Sequence, residues 1–248
     1  MTKMMKCGAL MWILLMIVEF TACQDFDIFV FTEQWPPATC IKGRQENKTC
    51  NMPLVRNYWT IHGLWPCNSS GDNPKYCPGP SFNLSQISNL MEELISYWPD
   101  IYDKSSIQGL WYHEWKCHGT CARKIPGTKD ERRYFKKNLE LIKKFNITSI
   151  LSNHNVLPSE GKPYSPTLIL DILKKDLGHA PLLACVEDEK RKRSLLLEVQ
   201  ICLDLQFNII DCTIYAVNGT LLENVYEQTQ NAAAKASRCG KKFYYIPL

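Results

Sequence analysis

The spacing of apolar residues changes along the chain, and each spacing predicts a different secondary structure. From Asn83 to Trp98, and again from Thr128 to Phe145, apolar side chains recur every three or four residues, which predicts two amphipathic helices. Thr128 and Glu131 match the capping box that opens many helices. A third helix is predicted from Ser165 to Leu177, because a glycine follows as a typical terminating residue.

The two ends of the chain have extended patterns. Residues 27–34 and 58–64 are rich in β-branched and aromatic side chains and predict buried strands, with residues 36–56 as a loop between them. From Leu195 to Leu205 apolar and polar residues alternate, which predicts a half-buried strand. Strands at both ends with helices between them predict an α+β fold, in which several helices pack on an antiparallel sheet.

The first 23 residues have the pattern of a secretory signal peptide. Two lysines precede an apolar run from Ala9 to Val18, and Thr21, Ala22 and Cys23 are small enough for a cleavage site. The run is too short to span a bilayer, and no later stretch is long and apolar enough to do so. Residues 1–23 are therefore predicted to be a signal peptide, and residues 24–248 one extracellular or endolysosomal domain.

Cysteines and glycosylation motifs fit that compartment. Ten of the twelve cysteines follow residue 23, an even number suited to disulfides in an oxidising environment. Five asparagines lie in motifs that accept glycans: Asn47, Asn68, Asn83, Asn146 and Asn218. The formal net charge of +4 permits a polyanionic partner without requiring one.

Three of the five histidines lie in two short, tryptophan-rich segments. His62 belongs to TIHGLWP at residues 60–66, and His113 and His118 belong to HEWKCHGTC at residues 113–121. Imidazole titrates near neutral pH, so this clustering favours general acid–base catalysis. His154 and His179 lie outside both segments and are interpreted as structural.

A helix over residues 108–121 would present one chemically useful face. At about 100° per residue, Glu114 and both histidines of that segment fall within an arc of roughly 140°, opposite the strand that carries His62. A neutral imidazole could then remove the proton of an RNA 2′-hydroxyl while a protonated one donates to the leaving 5′-oxygen, with no bound metal. DNA lacks the 2′-hydroxyl and is predicted to be inert. Trp65 could stack a base.

A zinc site is the alternative for the same segment, since His113, Cys117, His118 and Cys121 are all ligand types. In an α-helix, however, the two histidines diverge by about 140°, whereas metalloprotease helices place their histidines four residues apart. No metal and no other cofactor is therefore predicted.

The two histidine segments resemble the catalytic segments of the ribonuclease T2 family. The likeness continues in QWPP at residues 34–37, FNL at 82–84, YWPD at 97–100 and the late cysteines, and it covers essentially the whole chain after residue 23. It implies an endoribonuclease that cleaves single-stranded RNA through a 2′,3′-cyclic phosphate, usually best at acidic pH. It also implies that His118 is the general base, that His62 is the general acid, and that His113 and Glu114 bind phosphate and stabilise the transition state. Trp65 falls where the family stacks a base.

The same resemblance suggests four disulfides: Cys40–Cys50, Cys77–Cys121, Cys185–Cys239 and Cys202–Cys212. Cys67 and Cys117 are left over, and they stand where the family usually has Asp and Lys. Both positions would border one cleft, so a Cys67–Cys117 bridge across the active site is predicted. Lys116 then lies one residue from the usual lysine position and is predicted to bind substrate.

Two other functions compete with that of a secreted ribonuclease. Loss of the usual lysine would fit a binding or effector glycoprotein that keeps a ribonuclease scaffold with little or no turnover. A secreted nuclease that acts inside other cells would resemble the omega-type ribonucleases of parasitic flukes, but no residue indicates a cellular target. The expected partner is RNA, and a monomer is expected.

Overall fold

The computed structural model describes residues 25–52, 58–69, 73–102, 108–212 and 237–247. The predicted signal peptide and Asn218 lie outside these residues. Within them the elements run in the order β1 (Ile28–Gln34), α1 (Pro36–Gln45), β2 (Thr60–Cys67), α2 (Met91–Tyr97), α3 (Gly109–Glu114), α4 (Thr120–Ala122), α5 (Glu131–Phe145), α6 (Ile147–Asn153), β3 (Pro163–Tyr164), α7 (Pro166–Leu177), β4 (Leu182–Asp188), β5 (Arg193–Leu203), β6 (Ile209–Ile210), β7 (Ser237–Arg238) and β8 (Phe243–Tyr244).

The centre of the molecule is a sheet with the strand order β2, β1, β5, β4, β7. β1 pairs antiparallel with both β2 and β5, and β4 pairs antiparallel with β5. Two short pairings, β4 with β7 and β5 with β8, are parallel. The predicted α+β class is confirmed, although the sheet is mixed and only its long ladders are antiparallel.

Apolar side chains cover both faces of this sheet. On one face Phe31 and Ile201 pack with the helical residue Ile142 in the main core, and on the other Val30 and Cys202 belong to a smaller cluster. β5 is central in the sheet and is buried on both faces for most of its length. The prediction of a half-buried strand is therefore wrong: the polar side chains that alternate along β5 are covered by the rest of the protein.

α1 occupies residues that were expected to form a loop. Pro36 and Pro37 stand at the start of this helix, where a missing backbone N–H removes no helical hydrogen bond. The loop prediction is wrong for residues 36–45, because prolines at this position favour a helix start instead of preventing it.

α5 begins after Asp130, whose side chain accepts a hydrogen bond from the N–H of Arg133. Thr128 donates instead to the carbonyl of Ala122, so the predicted capping box is wrong. An aspartate immediately before the helix is a strong capping residue and replaces the threonine. The predicted inward face is confirmed, with these side chains buried: Tyr134, Phe135, Leu139, Ile142 and Phe145.

The other two predicted helices are present. Residues 84–90 form a 3-10 turn that leads into α2. α7 is capped by the Ser165 side chain, and Gly178 follows it in the left-handed conformation.

Buried aromatic residues anchor the helical layer to the strand β2. The indole of Trp98 donates to the carbonyl of His62 (2.9 Å), and the hydroxyl of Tyr134 donates to the carbonyl of Leu64 (2.9 Å). Trp111 in turn donates to the carbonyl of Trp98 (2.8 Å). Because each of these polar atoms is satisfied inside an apolar core, the backbone on either side of Gly63 is fixed in position.

All four disulfides that the resemblance suggested are present, with α-carbon separations of 5.0–5.3 Å. The Cys67–Cys117 bridge is not: both residues are free, buried cysteines. Cys67 packs with Ile28 and Val30 in the smaller apolar cluster, whereas the sulfur of Cys117 lies close to ring nitrogens of His113 and His118. The two thiols have different surroundings, and the bridge prediction is wrong.

The predicted glycan acceptors in the described residues lie at or near the surface, with Asn47 and Asn83 exposed and Asn68 and Asn146 half-buried. In the described part of the chain, the helices are too short or too polar to cross a membrane.

Replacing Tyr134 with Phe should lower the free energy of unfolding by about 1–3 kcal/mol, because the carbonyl of Leu64 would lose its donor inside the core. Denaturant unfolding with the disulfides intact measures the change. Tyr112→Phe is the matched control, since the Tyr112 side chain is exposed. Equal effects of the two substitutions would contradict the assigned anchor.

Candidate active site

The helix that carries the second histidine segment changes its hydrogen bonding halfway along. α3 ends at Glu114, and Trp115–Gly119 form a π-helical turn. The N–H of Thr120 donates to the carbonyl of Trp115, five residues earlier. Such a turn is wider than an α-helical one, so residues five apart come to lie on the same side.

This turn brings His113 and His118 together. Their ring centroids are 6.2 Å apart, and one ring nitrogen of each lies within 4.8 Å of the other and of the sulfur of Cys117. The estimate that these histidines diverge by about 140° is wrong, because it assumed a regular α-helix through residue 118. The geometric objection to a metal at this segment does not hold.

The strand β2 brings His62 and Trp65 to the same place. The centroid of the Trp65 ring lies 5.1 Å from that of the His62 imidazole and 5.6 Å from that of the His118 imidazole. Its indole N–H donates to the carboxylate of Glu114 (3.0 Å). A side chain at Gly63 would overlap both the Glu114 carboxylate and the Trp65 indole, so glycine is required for this close approach.

His62 is paired with a carboxylate that sequence reasoning missed. Its Nδ1 lies 2.8 Å from an oxygen of Glu198 on β5, and the other Glu198 oxygen accepts from the amide of Gln200 (2.9 Å). Burial would lower the pKa of His62, but the hydrogen bond and charge of Glu198, with the charge of Glu114, outweigh it and raise the pKa above its ordinary value. The alternating pattern of β5 contained the signal, since Glu198 is one of its polar positions.

The pKa values of the two helix histidines shift in the opposite direction to the pKa of His62. Burial, the neighbouring His113 and His62, and Lys75 lower the pKa of His118 to about 3. Burial and the nearby His62 lower the pKa of His113. Burial raises the pKa of Glu114 to about 7, although His62 and the Trp65 hydrogen bond oppose that shift.

Lys75 supplies a positive charge that acts on this site, and sequence reasoning also missed it. It precedes Tyr76, whose N–H donates to the carbonyl of Cys117 (2.9 Å), and Cys77, which is bonded to Cys121. Lys75 is exposed, and its charge lowers the pKa of His118. A loop lysine carries no sequence signal of this kind.

Lys116, in contrast, points to a different part of the surface. Its ammonium lies over the Tyr112 ring, 5.5 Å from the centroid, and it lines a cavity of about 300 Å³ together with Tyr112 and Phe82. None of the three clustered histidines lines that cavity. Substrate binding by Lys116 stays a prediction.

Three other tryptophans and the last two histidines have the surroundings expected of residues with a structural role. Trp59, Trp111 and Trp115 are fully buried, as expected of core residues. His154 lies 3.0 Å from Asp176, and His179 lies 3.6 Å from Asp211, both outside the cluster of the other three histidines.

The chain matches the model of the Ribonuclease T2 family over residues 26–212. It is 38% identical to Ribonuclease Oy of Magallana gigas over 200 residues, which cover 79% of this chain and 92% of that protein. Identity with Extracellular ribonuclease LE of Solanum lycopersicum is 34%, covering 84% and 91% of the two chains. Among solved structures, RNase NT in complex with 5′-AMP gives a TM-score of 0.72 at 29% identity and covers 91% of this chain and 100% of its own.

The fold and the site thus have the form of a T2-type ribonuclease. The chain belongs to the ribonuclease T2 family.

Glu198→Gln should lower the pKa of His62 below its ordinary value, because the carboxylate that favours the imidazolium is lost while burial remains. An NMR pH titration of the His62 ring measures this shift. Glu187→Gln, an exposed position on the neighbouring strand β4, should leave the titration unchanged. An unaltered His62 titration in the Glu198 variant would show that the pair does not control this histidine.

Proposed function

We propose that this T2-type endoribonuclease cleaves single-stranded RNA by metal-independent transesterification. The 2′-hydroxyl oxygen attacks the adjacent phosphorus, the bond from phosphorus to the 5′-oxygen breaks, and the products are a 2′,3′-cyclic phosphate and a 5′-hydroxyl. The observation that carries the proposal is that two imidazoles, each within 6 Å of the Trp65 ring centroid, have pKa values shifted in opposite directions.

These shifts assign the proton transfers. His118 stays neutral down to a pH of about 3 and can accept the proton of the 2′-hydroxyl. The raised pKa of His62 favours its protonated form, which can donate to the leaving 5′-oxygen. The rate should fall as the pH rises through the raised pKa of His62, and should fall again in strong acid when His118 is protonated. An optimum on the acidic side follows.

His113 and Glu114 are proposed to bind the phosphate as negative charge develops on it. With a pKa of about 7, Glu114 carries a proton at the acidic optimum. One of its oxygens accepts from Trp65, so the carboxyl proton can be donated to a phosphate oxygen without charge repulsion.

Lys75 is proposed to supply the positive charge that the family's usual lysine provides and that Cys117, which stands in its place, cannot provide. The hydrogen bond from Tyr76 to Cys117 and the Cys77–Cys121 disulfide attach its loop to the helix beside that position. The effect of Lys75 on the pKa of His118 indicates that its charge reaches the site. A positive charge there would stabilise the phosphorane.

We also propose secretion, with residues 1–23 as signal peptide and residues 24–248 as the mature domain. The disulfides, the two exposed sequon asparagines and the similarity to an extracellular plant ribonuclease support this.

The reaction is tested by incubating the disulfide-bonded protein with a single-stranded RNA and with the same strand carrying one 2′-deoxy nucleotide. The RNA should yield a cyclic phosphate, detected by mass spectrometry, and the strand should resist cleavage at the deoxy position. Chelator should not reduce the rate. Cleavage at the deoxy position, or inactivation by chelator, would overturn the mechanism.

His118→Phe and His62→Phe should each reduce the rate at least about 100-fold, the low end of what positioned acid–base groups contribute. Rates at saturating RNA, measured across pH, provide the comparison. His154→Phe, which alters a histidine paired with Asp176 away from the site, is the control. Full activity of the His118 variant would mean that another group is the base.

Lys75→Ala should reduce kcat/KM by roughly tenfold, less than the 100-fold or more typical of buried oxyanion donors, because this lysine is exposed. Lys116→Ala is the matched control and should have a smaller effect. Added salt should weaken the parent enzyme more than the Lys75 variant. A larger loss for Lys116 than for Lys75 would reverse this assignment.

A further inference from the structure

A thiol that ribonuclease chemistry does not need lies beside two imidazoles of the active site. His113, Cys117 and His118 each offer one ligand atom, and these atoms all lie within 4.8 Å of one another. Cys117 has no disulfide partner, and no step of the proposed reaction uses its thiol.

We propose that His113, Cys117 and His118 bind one zinc ion and that the bound ion inhibits RNA cleavage. The inhibition rests on the proposed function, whereas the binding does not.

The geometry needs little adjustment for such an ion. Tetrahedral zinc with two nitrogen ligands and one sulfur ligand separates its ligand atoms by about 3.3–3.6 Å. Closing the present arrangement to that size requires shifts of about 1 Å, within reach of side-chain torsions in a tetrahedral site. His113 is exposed and can make most of this movement, while Cys117 is buried and His118 is half-buried.

The donor set also selects the class of metal. Two imidazoles and one thiolate suit zinc and similar borderline or soft ions, whereas magnesium and calcium prefer oxygen ligands. Binding would displace the thiol proton of Cys117 to solvent and form a zinc–sulfur bond, with no change of oxidation state.

Occupancy would disable the proposed general base. The ring nitrogen of His118 that binds zinc has no lone pair left to accept the proton of the 2′-hydroxyl. His113, proposed to bind the phosphate, would be engaged by the same ion. Zinc should therefore slow cleavage until it is removed.

The proposed zinc site depends on Cys117, which stands where the family usually has a lysine. A lysine there, as the resemblance to the family implies, would place an ammonium among the ligands, which would repel the ion and offer no electron pair. Cys117 turns the same position into a zinc ligand.

Zinc binding is measured by isothermal titration calorimetry on the disulfide-bonded protein, free of thiol reductants and chelating buffers. One equivalent of Zn²⁺ should bind, and an excess of Mg²⁺ should not compete. Cobalt(II) as a probe should give the charge-transfer absorption of a cobalt–thiolate bond. Cys117→Ser should weaken Zn²⁺ binding at least about tenfold, the low end of the loss seen even for residues behind the ligands.

Matched variants distinguish zinc binding by these three residues from zinc binding elsewhere on the protein. Cys67→Ser removes the other free, buried cysteine among the described residues and should leave the affinity unchanged. His113→Ala removes an exposed ligand, so it should fold normally and still lose affinity, which covers the case of a misfolded Cys117 variant. No Zn²⁺ binding by the parent, equal losses in the Cys67 and Cys117 variants, or no loss in the His113 variant would each overturn the site.

A fourth variant separates this inference from the proposed function. His62→Ala should lose RNA cleavage and keep the Zn²⁺ affinity. Zn²⁺ should inhibit the parent enzyme, and chelator should restore its rate. Binding without any RNA cleavage by the parent would contradict the proposed function alone, and cleavage that saturating Zn²⁺ leaves unchanged would contradict the inhibition alone.

Discussion

His113, Glu114 and His118 can act on one substrate only if their helix turns all three toward β2, and a regular α-helix does not do so. The π-helical turn over Trp115–Gly119 resolves this constraint by adding room for one residue. Its surroundings stabilise it: the Trp115 indole donates to the carbonyl of Pro80 (3.0 Å), and a side chain at Gly119 would overlap the Trp115 ring. A single irregular turn, held by one tryptophan and one glycine, thus determines which chemistry the helix can offer.

The two sides of the site derive their properties from different layers of the fold. The sheet supplies a carboxylate, Glu198, that keeps a positive charge on His62. The helical layer buries His118 near other groups that can carry positive charge, which keeps it neutral. In the proposed reaction one residue type therefore serves as acid and as base because the environments differ, and the Trp65 ring is close to both imidazoles.

Local sequence patterns predicted the features that depend on interactions between residues close together in the sequence. The periods of α5 and α7 identified those helices, and the two motifs identified His62, His113, Glu114 and His118. The failures at Glu198 and at the π-helical turn share one physical origin, in interactions that sequence spacing does not encode. Glu198 meets His62 across 136 positions, and the π turn depends on tertiary packing around Trp115.

The wrong prediction of a Cys67–Cys117 bridge also shows what sequence spacing does not encode, namely where a side chain points. Elimination left them as a pair, but pairing requires that both sulfurs point into one space. Cys67 is part of an apolar cluster on the sheet, whereas Cys117 faces two imidazoles. Counting cysteines gives the number of thiols and not their directions.

The Cys77–Cys121 disulfide has a consequence for where this protein can be active. It closes a segment of 44 positions, a constraint worth about 4 kcal/mol on chain entropy, and it attaches the loop of Lys75 to the helix of His118. In a reducing compartment that link would open, while the aromatic anchors of β2, which need no oxidation, would remain. A molecule that failed to leave the cytosol would then keep much of its core but lose the fixed position of a cation beside its catalytic groups. If the protein is exported as proposed, formation of this disulfide completes the active site only outside the cytosol, so the RNA of the producing cell is protected by disulfide chemistry as well as by membranes.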